Sequence, residues 1–191
     1  MKDEKFLMSM LVKNEAGVLT RVSGLFARRG FNIDSLSVGE TLDPKISRIT
    51  ISATGDEYVK DQIRLQLEKL HDVVIVKAMD MKNTVMRELM LIKVRVPQGK
   101  RIEILEATTI FRAKVVDLTT DSLTLEVTGD TNKCNAFLEY MVPFGVEELV
   151  RTGLTAIGRG KDVLIGEGDN SEEKQSPYSI FTETKLAKKK H

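Results

Sequence analysis

A single cysteine, Cys134, excludes an intrachain disulfide framework. Histidine is almost as scarce, with only His71 and the terminal His191. No Cys/His cluster has zinc-ligand spacing, and no glycine-rich phosphate loop is present. Cys134 falls on the apolar face of a predicted helix, a core position rather than that of a nucleophile. Charge of one sign is also missing. The formal net charge of +1 supplies no basic surplus for nucleic acid. The longest apolar-rich run, Phe6 to Val12, is far shorter than the roughly 20 residues that cross a bilayer. The opening residues MKDEKFL lack the basic-then-apolar pattern of a signal peptide. A cytoplasmic protein without metal or catalytic machinery of its own is expected.

What is present is an ordinary soluble profile, 41% apolar and 30% charged, long enough for two small domains. Phe6, Met8, Met10 and Val12 alternate with Leu7, Ser9, Leu11 and Lys13, predicting a strand with one strongly apolar face. Val18, Leu19, Val22, Leu25 and Phe26 then mark one face of a helix, which Gly30 ends after Arg28-Arg29. Phe31–Val38 and Ile46–Ala53 read as strands around a turn at Thr41 to Pro44. Asp56 is the predicted N-cap of a second helix with the stripe Val59, Ile63, Leu67 and Leu70, and Val73–Met79 closes the unit. The order is βαββαβ, a ferredoxin-like α+β sandwich.

The pattern then recurs more faintly. LMLIKVRVPQG sets beside LMSMLVKNEAG, and Thr54-Gly55-Asp56 returns as Thr128-Gly129-Asp130. Ile104, Leu105, Thr108 and Phe111 predict a helix, Ala113–Leu118 and Leu123–Val127 strands. Cys134, Phe137, Leu138 and Met141 predict the second helix, and Val146–Val150 the closing strand. The expected division is 1–81, 82–166 and a tail, 167–191. That tail is acidic at GEGDNSEEKQSP, basic at KLAKKK, and interrupted by Tyr178, Ile180 and Phe181. Mobility is expected from about Gly166.

The loop Asn14-Glu15-Ala16-Gly17 before the first helix invites two readings. Asn14 and Gly17 serve a turn, and Asn32 a strand entry. Alternatively, unpaired N–H groups at the helix start receive a carboxylate, Gly17 lets a ligand approach, and Asn14 and Asn32 bind an amino acid. The helix between them spans about 18 Å at 1.5 Å per residue. One chain does not close such a pocket, whereas two chains packed head to tail do. Other functions of this fold fit poorly. The strand KISRITIS has no aromatic residue to stack RNA bases. Arg21 lies a turn inside the helix, not in the loop where an acylphosphatase-like hydrolase needs a phosphate-binding arginine.

The run LVKNEAGVLTRVSGLFARRGFNIDSLSVGETLDPKISRITI resembles the start of the small, regulatory subunit of acetohydroxyacid synthase (acetolactate synthase). RELMLIKV, IFRAKVVDLT and VEELVRTGLTAIGRG resemble that family's second domain, so the likeness covers about residues 5 to 166. The resemblance implies that residues 1–81 form an ACT domain, a ligand-sensing version of the ferredoxin-like fold. It implies no catalysis on this chain. Thiamine diphosphate and magnesium, with FAD as a further candidate, belong to the catalytic (large) subunit, the implied partner. The small subunit raises that subunit's activity and confers feedback inhibition by valine or a related branched-chain amino acid. Carried over by motif, Asn14, Ala16, Gly17, Val18 and Leu19 line the effector loop. Asn32 and Ile33 come from the neighbouring chain of a homodimer paired through ACT domains. Arg28-Arg29, otherwise a solvated helix end, is available to the large subunit. The alternative is an ACT-type sensor controlling a different metabolic enzyme.

Overall fold

The computed structural model describes residues 4–164, and the expected tail, with Tyr178, Ile180 and Phe181, lies outside them. The elements are β1 (Glu4–Lys13), α1 (Val18–Arg28), β2 (Ser35–Glu40), β3 (Ile46–Gly55), α2 (Glu57–Glu68) and β4 (Val73–Met79). They continue with β5 (Thr84–Arg95), α3 (Arg101–Ile110), β6 (Lys114–Leu118), β7 (Ser122–Gly129), α4 (Thr131–Met141), β8 (Val146–Arg151) and β9 (Thr155–Gly158). The first sheet is ordered β2-β3-β1-β4 and the second β6-β7-β5-β8, with β9 also pairing β5. The paired strands of the four-stranded ladders are antiparallel. Two ferredoxin-like βαββαβ units result. One holds the chain up to Val85 together with the stretch from Ala156, the other Met86–Thr155.

In the first unit, Phe6, Met8, Met10 and Val12 meet Val18, Val22, Leu25 and Phe26 of α1 and Ile63 and Leu67 of α2 in one apolar core. Burying each such side chain stabilises by about 1.5–3 kcal/mol before entropy is counted. The opposite face of β1 is buried too: Leu7, Ser9 and Leu11 are all at most 1% exposed. Their register partners are Ser52, Thr50 and Arg48 on β3, and Met79, Lys77 and Ile75 on β4. The chain beyond β8 returns to that face. Arg48 Nη2 donates to the Ala156 carbonyl at 2.7 Å, and Lys77 pairs with Asp162. The Arg159 N–H donates to the Asn83 carbonyl at 3.0 Å.

The second unit repeats the first at the level of the backbone. Its core joins Met90, Ile92 and Val94 to Ile104 and Ala107 of α3 and Cys134, Phe137 and Met141 of α4. Lys13 N–H donates to the Asp72 carbonyl at 2.9 Å, and Arg95 N–H to that of Gly145 at 2.9 Å. Asn14 N–H reaches the Lys45 carbonyl at 2.7 Å, and Val96 N–H that of Asp121 at 2.7 Å. The register shifts between Leu11 and Val12 against β4, and between Lys93 and Val94 against β8. Asp56 and Asp130 cap α2 and α4, each accepting from a backbone N–H three residues on at 2.9 Å.

Helix ends account for one departure from the expected strands. Phe31 does not open β2. Its N–H turns back to the Phe26 carbonyl at 3.0 Å, completing the stop made by Gly30 at φ 68°. The strand therefore starts at Ser35, while Phe31 and Ile33 pack on the core from the connection. At the end of α3, Ala113 N–H donates to the Thr108 carbonyl at 2.8 Å in the same way. Arg112 occupies the left-handed position there, at φ 50°.

Candidate functional site

Between β1 and α1 the chain turns through Asn14 to Gly17, all exposed. Gly17 ends the turn at φ 85°, a conformation that costs an L side chain about 1–2 kcal/mol. Its position is tight as well as left-handed, since a Cβ added there meets Arg21 Nη1 at 3.1 Å. No side chain caps α1. The Val18 N–H folds back to the Glu15 carbonyl at 3.3 Å, and the regular ladder begins with Arg21 N–H to the Gly17 carbonyl at 3.0 Å. Among the described residues, the N–H groups of Leu19 and Thr20 have no backbone partner. They present donors at the positive end of the helix dipole.

The expected residues play unequal parts. The Val18 side chain is buried in its own core, so only its backbone reaches the loop surface. Leu19 is exposed on the first turn, with 44% of its surface open. Asn14 is braced by the far side of the sheet: its Nδ2 donates to the Pro44 carbonyl at 2.8 Å and to Glu40 Oε1 at 3.2 Å. The amide oxygen is left to accept. Asn32 lies beyond the other end of α1, where its Nδ2 donates to Asp34 Oδ1 at 3.1 Å. Asp34 is held in turn by the Thr54 hydroxyl at 2.8 Å. Ile33 packs partly against the core of its own chain. One chain thus gathers Asn14, Ala16, Gly17, Val18 and Leu19, and keeps Asn32 and Ile33 apart from them by the eleven residues of α1.

Two residues beside the loop were not expected from the sequence. Glu40, the last residue of β2, orients the Asn14 amide. Arg21 donates through Nε to Asp72 Oδ2 at 2.5 Å, and Asp72 is 1% exposed while Arg21 stays half open to solvent. The exposed His71 approaches the second Asp72 oxygen, Nε2 to Oδ1 2.9 Å. Arg21 carried a signal in its spacing, four residues after Gly17 and so one helical turn above it. Asp72 carried none, since it reaches α1 only through the sheet topology.

A cavity of about 490 Å³ is lined by Arg87, Phe111, Arg112, Asp130 and Lys133, among others, and none of the expected residues lies on it. Cys134 is fully buried, and burial, with the Glu88 carboxylate second, pushes its thiol above the ordinary range. Such a thiol is a poor nucleophile. Among the described residues, no group of three or more His, Cys, Asp or Glu side chains converges on a metal position. No described helix is long and apolar enough to cross a membrane.

Comparison with known proteins agrees with this architecture. Residues 8–75 match the family described as the AHAS small subunit-like ACT domain, and residues 87–160 the small subunit of acetolactate synthase. A probable acetolactate synthase small subunit of Methanothermobacter thermautotrophicus is 50% identical over 86% of this chain and 98% of its own. The chain belongs to the acetolactate synthase small-subunit family. Within that family, the Mycobacterium leprae acetolactate synthase small subunit is 46% identical over 80% of this chain and 90% of its own. The crystal structure of the small subunit from Thermotoga maritima superposes with a TM-score of 0.77 at 43% identity. It covers 82% of this chain and 98% of that one. Membership assigns residues 8–75 as an ACT domain and the chain as a small subunit of regulatory type.

Proposed function

We propose that this chain activates a thiamine-diphosphate-dependent acetolactate synthase catalytic subunit in the cytoplasm. We further infer that it makes that complex sensitive to valine or a related branched-chain amino acid. Residues 1–81 are the sensing module and 82–166 the second module of this reading. The thiamine diphosphate, magnesium and any FAD belong to the catalytic partner.

The placement of the two asparagines around β2 carries the proposal. Asn32 precedes β2, and Asn14 is bonded to Glu40 at its end. β2 is an edge strand of the first sheet. Edge strands offer unpaired backbone groups to a second chain. Two β2 strands paired antiparallel about a twofold axis set the Asn14 end of one chain beside the Asn32 end of the other. Each such dimer has two sites, in which the loop Ala16 to Leu19 supplies backbone donors and Ile33 of the second chain apolar surface. A ligand that favours one dimer arrangement needs only about 1–3 kcal/mol of coupling to regulate the partner.

The deciding assay follows acetolactate formation by the catalytic subunit with and without this chain, across a valine titration. Stimulation by the chain and inhibition by valine are expected. Asn14→Ala and Asn32→Ala each raise the valine needed for half inhibition by about tenfold, the loss of roughly one hydrogen bond to a charged group. Absence of stimulation overturns the regulatory reading, and unchanged valine response in both variants overturns the pocket.

A further inference from the structure

The loop before α1 has backbone donors, but the structure also places a full positive charge beside them. Arg21 is the first residue of α1 whose N–H enters the regular ladder, and its guanidinium folds back over Gly17. Nη1 stands 3.1 Å from where a Gly17 Cβ would be. Only Nε is committed, to Asp72. Among the described residues, neither Nη group has a hydrogen-bond partner. The charge is therefore fixed in position by a carboxylate that is itself 1% exposed, while its two outer nitrogens remain unused.

We propose that Arg21, held by Asp72, receives the carboxylate of the amino-acid effector, with the Leu19 and Thr20 N–H groups as its neighbours. This rests on the effector reading above and adds to it a side chain outside the expected loop. A planar guanidinium presents paired donors that match a carboxylate, and fixing Nε in advance aims the remaining face. Asp72 is a positioning residue: it touches Arg21, not the ligand. Its backbone carbonyl is also fixed, by the Lys13 N–H at 2.9 Å, so the carboxylate is tied to the end of β1 as well as to the start of β4. The arrangement gives Gly17 a second role. Beyond permitting the left-handed turn, it leaves open the volume through which the guanidinium reaches the loop. It also predicts a requirement in the ligand. An amino acid whose carboxylate is replaced by an amide keeps its ammonium and side chain but loses the partner of Arg21.

The test is calorimetric titration of the full-length chain with L-valine and, separately, L-valinamide. It is run on wild type, Arg21→Gln, Arg21→Lys and Asp72→Asn. Wild type binds valine more tightly than valinamide by at least about 10–100-fold, the worth of a charge-assisted hydrogen bond. Arg21→Gln weakens valine by about that factor and leaves valinamide nearly unchanged, so the preference collapses. Arg21→Lys, which keeps the cation but not the fork, retains part of the preference, and Asp72→Asn lowers it without abolishing it. Should Arg21→Gln fail to fold, the Arg21→Lys ratio decides. A parallel loss of valine and valinamide, or an unchanged ratio in the variants, overturns the Arg21 role while leaving the effector loop standing. Failure of wild type to bind valine, leucine or isoleucine overturns the effector reading and the Arg21 proposal together.

Discussion

The two units share a backbone and differ in what they hang on it. In both, the strand before the first helix hands two successive N–H groups to loop carbonyls, and a glycine at positive φ, Gly17 or Gly99, leads into a helix with no side-chain cap. The equipment around that helix start differs. Where the first unit has Asn14, the second has Val96, and where the first has Asp72, the second has Gly145. The second unit's arginine at the helix start, Arg101, donates to the Thr119 and Thr120 carbonyls, so its charge closes a loop instead of facing outward. Lys100 is paired with Glu103 at 2.7 Å, a hydrogen bond that raises its pKa. The proposed effector site rests on the polar neighbours of an exposed helix start, and in the second unit the corresponding neighbours are apolar or already satisfied.

Core truncation gives the largest expected effect and asks whether packing repeats as faithfully as backbone. Phe26, on α1, and Phe137, on α4, are the fully buried aromatic side chains of the two cores, both at most 1% exposed. Phe26→Ala and Phe137→Ala each cost about 3–5 kcal/mol in urea denaturation. Costs differing by more than about 2 kcal/mol break the equivalence of the two cores.

The glycine pair sharpens the comparison at the helix start. Gly17→Ala and Gly99→Ala both incur the left-handed cost of about 1–2 kcal/mol. At Gly99 nothing lies within 4 Å of the added carbon, whereas at Gly17 it crowds Arg21. Gly17→Ala is therefore the more costly, and in an Arg21→Ala background its cost falls to that of Gly99→Ala. Equal costs in the wild-type background would show that Arg21 does not occupy that space.

The smallest effect concerns the ends of the same helices. Arg112 holds at φ 50° the role that Gly30 holds at φ 68°. Arg112→Gly relieves about 1–2 kcal/mol of left-handed cost and loses roughly 0.4–1 kcal/mol to the freer unfolded chain. A net gain of about 0.5 kcal/mol in unfolding free energy, read by urea denaturation, is expected, and a loss would assign Arg112 a contact that outweighs its backbone.

How far the sequence announced this structure depended on whether the signal was local. The Thr-Gly-Asp starts of α2 and α4 were legible because a cap is a contact across three residues. The stripe Val18, Val22, Leu25 and Phe26 was legible because burial on one side repeats with the helix. The second buried face of β1 was not. Ser9 reads as solvent-facing until Arg48 and Lys77 are tied to residues more than 80 positions away in the chain. β9 was missed for the same reason, as four residues carry too little periodicity to mark a strand. At the site, the loop and its glycine were readable, while Glu40 and Asp72 enter only through pairings of β2, β3 and β4.

The return of the chain to the first sheet after Thr155 bears on how the protein is made. On a ribosome, the first βαββαβ order is complete once Met79 has emerged, yet the partners of Arg48 and Lys77 are still unmade. At roughly 5–20 residues per second, the next eighty or so residues take about 4–16 s to arrive. Through that interval the nascent first unit has one finished side and one waiting side. Synthesis of the second unit thereby becomes a delay built into completion of the first.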